Sequence, residues 1–415
     1  MFSQRSSGFE LILIFQILIP LLLVVISVVG CTAQPPSVGV TATPTITKPV
    51  PDMRVTETVI PPTETLTPLP PITLDTRVAE IEALMTEYEG MNLFSGTVLV
   101  AERGEVIYEK AIGYANREWS IPNALDTRFR IASLSKQFTK VLVLQLVEEG
   151  KLSLDGTIAL YLPDYTGPGA DQITIDFLLT HRSGIVGESA VQDLERIERD
   201  YYTHEEMLEL ISGFDLLSEP GTQWTYSNFG YYLLGVIIER VSSRTYAELM
   251  QERICGPSGL TDTFPEVTSD IIERRASGYW FTKDHEFIHD SPLDMSFVFG
   301  YGHLISTVRD LYLFDIALRE GKLLNSAHTN AIYTAEFRPI GDGTCEVYVV
   351  EDGPASVNGF RASSHSYIRE DRFVVILENV RSGGYYLPGV FEIGRNIAAI
   401  LYGCPYQQPA PHLGD

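Results

Sequence analysis

The sequence predicts an α+β fold, with a sheet assembled from both ends of a core region and a largely helical insertion between them. Two observations predict it. β-rich runs occur near residue 100 and again after residue 345, and the stretch between them carries long apolar helical patterns. No internal repeat is found.

The elements follow in chain order. Residues 1–10 are polar and include Arg5, and residues 11–29 form an apolar run broken only by Gln16, Pro20 and Ser27. About 20 apolar residues suffice to span a bilayer. The run closes on Val28-Val29-Gly30-Cys31, and small residues before a cleavage point mark an export signal. A cysteine directly after them resembles the lipobox of bacterial lipoproteins. That likeness implies a signal over residues 1–31 ending at a lipidated Cys31, with the mature chain anchored to a membrane in the cell envelope. An uncleaved signal anchor is the alternative, and it too places the rest of the chain outside the cytoplasm.

Residues 32–73 are dense in Pro and Thr and poor in large apolar groups. Such a stretch buries too little surface to offset the entropy of ordering, so a disordered spacer is expected. Residues 74–405 are long enough for one large core, or a core with an inserted subdomain, and residues 406–415 form a tail. The formal net charge is −24. A surface this acidic repels polyphosphates, which argues against nucleic acid as a partner. Cys255, Cys345 and Cys404 follow Cys31 without metal-type spacing, and their odd number leaves at least one thiol unpaired. Whether two of them join is not legible, nor is the oligomeric state.

Within the core, a short helix is expected over residues 80–88. Strands are expected over 97–101 and 106–112, around a hairpin turn at Arg103-Gly104. A long helix over 131–149 is closed by Gly150, and further helices are read over 205–211, 231–241 and 307–319, the last closed by Gly321. Runs at 347–350 and 373–378 read as buried strands, and 390–401 as a closing helix.

The chemistry begins with Ser133 and Lys136, three apart at the start of a helix and so on one face. An alcohol needs a neighbouring base to become a nucleophile, and a lysine serves if burial lowers its pKa. The helix amino terminus also offers backbone N–H groups to a developing oxyanion. Alone, S-x-x-K is a weak signal that a capping serine and a solvated lysine match equally well.

Its context is more specific. Phe129-Arg130-Ile131-Ala132-Ser133-Leu134-Ser135-Lys136-Gln137-Phe138-Thr139 resembles the nucleophile segment of the serine β-lactamase and penicillin-binding protein superfamily. The likeness is greatest to the class C β-lactamase-like group, which also holds esterases and D-amino-acid peptidases. Leu178-Leu179-Thr180-His181-Arg182-Ser183-Gly184 resembles that family's LLTHTSG stretch, and Tyr226-Ser227-Asn228 its Y-x-N motif. Arg275-Ala276-Ser277-Gly278-Tyr279 and the segment from Leu304 to Leu311 are similar to further family segments, so the likeness runs from about residue 95 to 401.

The resemblance implies an antiparallel sheet flanked by helices, with an inserted mainly helical subdomain. It makes Ser133 the nucleophile of an acyl-enzyme and Lys136 its base. Tyr226 would share the proton traffic, activating Ser133 or protonating the leaving group, and nearby cations could stabilise it as a tyrosinate. Asn228 would hydrogen-bond Lys136 and the substrate. The family's third motif, K-T-G or H-x-G before a Gly-Phe pair, is where this chain departs. Counting back from Gly359-Phe360 places Gly353-Pro354-Ala355 there, followed by Ser356. Gly353 replaces the cation, Pro354 has no N–H, and Ala355 adds a methyl where substrate approaches. The Ser356 N–H could still complete an oxyanion hole.

These departures predict an esterase or peptidase acting on a small-molecule or peptide ester or amide, rather than a true β-lactamase. The rival reading is a catalytically impaired binding or sensing module. Nothing calls for a cofactor. Arg361 is read as a solvated arginine, or as a replacement cation if it points inward. His181 is read as hydrogen-bonded structure rather than a base, while a cleft-facing role for His303 is open. His285 and His289 are read as part of a solvated loop and not as a metal site. Tyr201, Tyr202, Trp224 and Phe229 could line a groove or belong to the core.

Overall fold

A computed structural model describes residues 74–382 and 387–410. The expected signal, lipidated Cys31 and spacer, together with the last five residues of the tail, lie outside the described residues.

The hairpin comes first. Strand β1 (Gly96–Glu102) pairs antiparallel with β2 (Glu105–Ile112). At the turn between them Arg103 and Gly104 have φ of +56° and +81°, the pair of positive angles that a type I′ hairpin turn requires. The chain's far end supplies β3 (Glu336–Ile340), β4 (Cys345–Val357), β5 (Phe360–Tyr367) and β6 (Arg372–Glu378). The six strands form one sheet in the order β3-β4-β5-β6-β1-β2, antiparallel at every pairing. Both ends of the core region thus meet at the β6–β1 seam, where Val98 lies opposite Ile376 and Leu99 opposite Val375.

Both faces of the sheet are covered, and the period of two sorts the side chains between them. Val98, Val100, Val374 and Ile376 pack with helices α1 (Leu74–Gly90) and α5 (Val390–Tyr402). Ile81, Leu84, Met85 and Tyr88 are the buried stripe of α1, at the i, i+3, i+4, i+7 spacing of one helical face. Leu99, Val375 and Leu377 point the other way, into a larger core with α2 (Ser135–Glu148), α3 (Asn228–Ser242) and α4 (Val308–Arg319). Burying one large aliphatic side chain contributes about 1.5–3 kcal/mol, so the two cores fix the sheet and the layer that carries the site.

Three strands of the sheet differ from the sequence reading. The expected strand at 347–350 is the middle of the much longer β4, and β3 and β5 were not anticipated. β5 reads as polar because Ser363 and His365 stand where apolar residues would alternate. Both are fully buried, and each finds a partner: Ser363 Oγ donates to Val390 O, and His365 Nδ1 lies 3.3 Å from Glu351 Oε1. Cys345 and Cys404 form a disulfide joining the start of β4 to the segment after α5, while Cys255 is free and buried.

Candidate active site

Residues 132–134 form a single 3-10 turn between a short strand (Phe129–Arg130) and α2. Ala132 sits at φ +49°, a conformation non-glycine residues rarely adopt and which recurs at functional sites. Ser133 therefore lies in the turn just before α2 proper, with Lys136 in that helix's first turn.

Tyr226 comes from a second helix start. Ser227 is the cap of α3: its Oγ accepts from Gly230 N at 3.0 Å and donates to Val186 O at 2.9 Å. Removing such a cap typically costs about 1 kcal/mol. The middle residue of Tyr226-Ser227-Asn228 is thus structural, and it presents the two flanking side chains at the helix entrance.

The three groups converge. Lys136 Nζ lies 3.0 Å from Ser133 Oγ and donates to Tyr226 OH at 2.7 Å. The Tyr226 hydroxyl is 2.8 Å from Ser133 Oγ. A longer contact of 3.4 Å runs from Lys136 Nζ to Tyr301 O. Lys136 is buried, and no carboxylate pairs with it among the described residues. Burial pushes its amine down to about 7, with Glu188 opposing part of that shift. Near neutral pH a large fraction of the amine is therefore uncharged, with a lone pair 3.0 Å from the serine oxygen. Desolvation of its hydroxyl moves the Tyr226 phenol in the opposite direction, above its usual range, although the side chain as a whole is 43% exposed; the Ser133 contact pulls it back and Glu188 adds to the rise. The tyrosinate is thus disfavoured, since Lys136, the cation that donates to it, is itself driven towards neutrality. Tyr226 is poised as a proton donor.

His181 is placed as the sequence reading expected, as hydrogen-bonded structure. Its Nδ1 accepts from Ser227 N at 3.1 Å, and its ring lies 4.5 Å from that of Tyr226. Burial first, then Lys136 and Lys140, hold it down at about 4, so it is neutral.

Asn228 departs from expectation. It does not bond Lys136; its Nδ2 donates to Glu188 Oε1 at 2.6 Å. Its Oδ1 is buried and finds no partner among the described residues.

The third-motif region is reshaped. The β4–β5 register slips between Asp352 and Ala355, and Gly353 adopts φ +115°. A Cβ there would stand 2.9 Å from Ala362 O and 3.0 Å from Ala355 N, so no lysine or histidine fits without moving the backbone. Of the three residues proposed there for substrate, only Ser356 lines the cleft with Ser133. Ala355 turns its methyl into the core, and Gly353 lies outside the cleft lining. Arg361 is neither a replacement cation nor solvated. It is largely buried, donates from Nε to Val380 O at 3.1 Å, and pairs across the sheet with Glu378 at 2.5 Å.

The remaining candidates scatter. His303 is buried against Tyr246 and Phe299, away from the cleft. Burial holds its imidazole down at about 3. His289 lies on a short strand (Phe287–His289) and pairs with Glu118. No cluster suited to a metal ion occurs among the described residues. Phe229 is core, while Tyr201 and Trp224 are 72% and 67% exposed and do not line the cleft with Ser133.

That cleft has a volume of about 270 Å³. The sequence reading missed several of its walls: Glu188, Glu195, Glu198, Tyr301, Asn358 and Arg381. The three glutamates belong to the largely helical, polar middle of the chain, in which the sequence reading gave them no role, and only the fold brings them against Ser133.

Comparison with known proteins shows the family and the fold. A family model described as Beta-lactamase matches residues 81–342. A penicillin-binding protein of Bacillus subtilis (strain 168) is 26% identical, over 76% of this chain and 74% of its own length. Esterase EstB of Burkholderia gladioli is 34% identical over 41% of this chain, which spans 46% of that esterase. Among solved structures, a penicillin-binding protein from Bacillus halodurans superposes with a TM-score of 0.63 at 27% identity, covering 77% of this chain and 98% of that one.

Proposed function

The chain belongs to the Beta-lactamase family, and from that premise we propose that it hydrolyses an ester or amide through an acyl-enzyme on Ser133. The observation that carries this reading is the contact triangle of Ser133, Lys136 and Tyr226, with a buried amine whose pKa is about 7.

The chemistry follows from the geometry. Neutral Lys136 takes the Ser133 proton as Oγ attacks the carbonyl carbon. The backbone N–H groups of Ser133 and Ser356 receive the oxyanion, a contribution of about 3–4 kcal/mol for a well-placed donor. Tyr226, a phenol with Lys136 behind it, delivers a proton to the leaving alcohol or amine. Water then cleaves the acyl-enzyme, with Lys136 again the base.

Penicillins and peptides ending in a carboxylate are disfavoured substrates, because Gly353 stands where the family carries a cation. The same loss is the observation favouring a second reading, a binding module without turnover. The retained triangle favours catalysis. For location we propose an extracytoplasmic hydrolase tethered by lipid on Cys31, which rests on the apolar run at 11–29 and the Gly30-Cys31 step.

Steady-state hydrolysis of a neutral activated ester by the full chain in detergent tests the catalytic reading. Loss of turnover in both Ser133→Ala and Lys136→Met is expected; turnover that survives Ser133→Ala would overturn it.

A further inference from the structure

A second pocket, of about 550 Å³, lies against the same loop that walls the catalytic cleft, and the two share no lining residue. Within residues 297–303, Phe297, Val298, Tyr301 and Gly302 line the cleft, whereas Phe299 and His303 line the pocket. The accessible walls of this pocket are mainly apolar, with Tyr246, Met295, Phe299 and the exposed Tyr201 and Val267 contributing. Its size falls in the range of small-molecule sites.

His303 supplies an independent observation. The residue is 4% exposed, and its Nδ1 accepts from Gly300 N at 3.1 Å. A backbone N–H can only donate, so the neutral ring must carry its proton on Nε2. Burial, with His204 adding to it, holds the imidazole at about 3 and keeps it neutral. That Nε2 is buried and has no hydrogen-bond partner among the described residues. The rings of Tyr246 and Phe299 lie 4.9 Å from the imidazole, but an aromatic face is a weak acceptor.

The carboxylates of the pocket are committed elsewhere. Glu266 accepts from Arg130 and Arg275, Glu239 from Tyr246 N, and Asp294 from Ser296. They bring no donor, and they disfavour an anionic ligand. An acceptor on a neutral ligand would meet an unpaired donor in apolar surroundings, where the pairing counts most.

We propose that this pocket binds a small neutral carbonyl compound, an aryl or alkyl ketone, ester or amide. Its oxygen accepts from His303 Nε2, and its apolar body packs on Tyr246, Met295 and Phe299. The site is separate from Ser133, so its ligand is not the group being cleaved.

Titration calorimetry on the full chain in lipid nanodiscs, with empty nanodiscs as the blank, compares acetophenone, benzoate and ethylbenzene. The three are similar in size and present a neutral acceptor, a charged acceptor and none. Acetophenone is expected to saturate one site and to bind at least about tenfold more tightly than either. It alone pairs the buried donor without setting a charge beside Glu239 and Asp294. His303→Leu, which keeps the bulk but has no donor, should erase the margin over ethylbenzene. Val267→Trp, at an exposed position of the lining, should fill the pocket and weaken acetophenone binding at least about tenfold. This second variant keeps the test decisive even where His303→Leu fails to fold. No saturable binding, benzoate bound as tightly, or affinity unchanged in Val267→Trp would overturn the inference. So would acetophenone raising KM for a neutral ester in proportion to its occupancy, because that places it in the cleft.

Discussion

Lys136 Nζ lies 2.7 Å from the Tyr226 hydroxyl with no carboxylate paired to it among the described residues. An amine so placed loses hydration without gaining a counter-ion, and burial holds it at about 7. The phenol beside it is pushed the other way. The pair has its two pKa values moved apart, a base that is free near neutrality and an acid that keeps its proton.

The pH dependence of kcat/KM for a neutral ester follows. Only neutral Lys136 can accept the Ser133 proton, so the rate should rise with pH through about 7 and then level off. Because Tyr226 is raised above its ordinary value of 10, any fall should begin only above about pH 10. A stopped-flow pH profile checks this; a rate that falls as pH rises through 7 would contradict it.

The same burial has a stability consequence. The folded-state pKa of Lys136 lies below its ordinary 10.5. The folded protein therefore bears a penalty that is full below about pH 7 and vanishes as pH rises past the unfolded value. Lys136→Met should abolish activity yet raise stability at pH 6, by on the order of a few kcal/mol. The gain should shrink towards zero near pH 10. Denaturant melts at the two pH values measure the difference.

Gly353→Lys should not restore a family-type third motif. With φ at +115° and Ala362 O 2.9 Å from the new Cβ, the substitution should destabilise the fold by about 1–3 kcal/mol. Penicillin acylation should not rise above that of the unsubstituted chain. Thermal melting and a penicillin-binding assay read the two outcomes.

His181→Phe should slow ester turnover about tenfold by unseating the Ser227 N–H, whose lost partner costs about 1–3 kcal/mol. The limb of the pH profile near 7 should stay where it is, because a group held at about 4 is not the base. Movement of that limb in the variant would assign His181 a direct role in proton transfer.

How far the site was legible depended on distance along the chain. Ser133 and Lys136 lie one helical turn apart, so their shared face follows from spacing, and Tyr226 followed from the motif around it. Arg361 could not be read, because its partner Glu378 is a cross-strand neighbour on β6, and pairing register is not written in either segment. The same holds for Glu188, Glu195 and Glu198, which carry no local signal until the fold sets them against Ser133. For the sheet, the apolar strands β1 and β6 were visible through their β-branched runs. β5 was not, since buried Ser363 and His365 are stabilised by hydrogen bonds rather than by hydrophobic alternation.

The central claim is that Ser133 is a working nucleophile. Intact mass of the full chain after exposure to an activated ester, and separately to a penicillin, measures it most directly, with Ser133→Ala alongside. The expected result is an acyl adduct from the ester on the Ser133 peptide, absent in the variant, with little or none from penicillin. A folded protein that takes up neither reagent, or an ester adduct that persists in Ser133→Ala, would contradict the account.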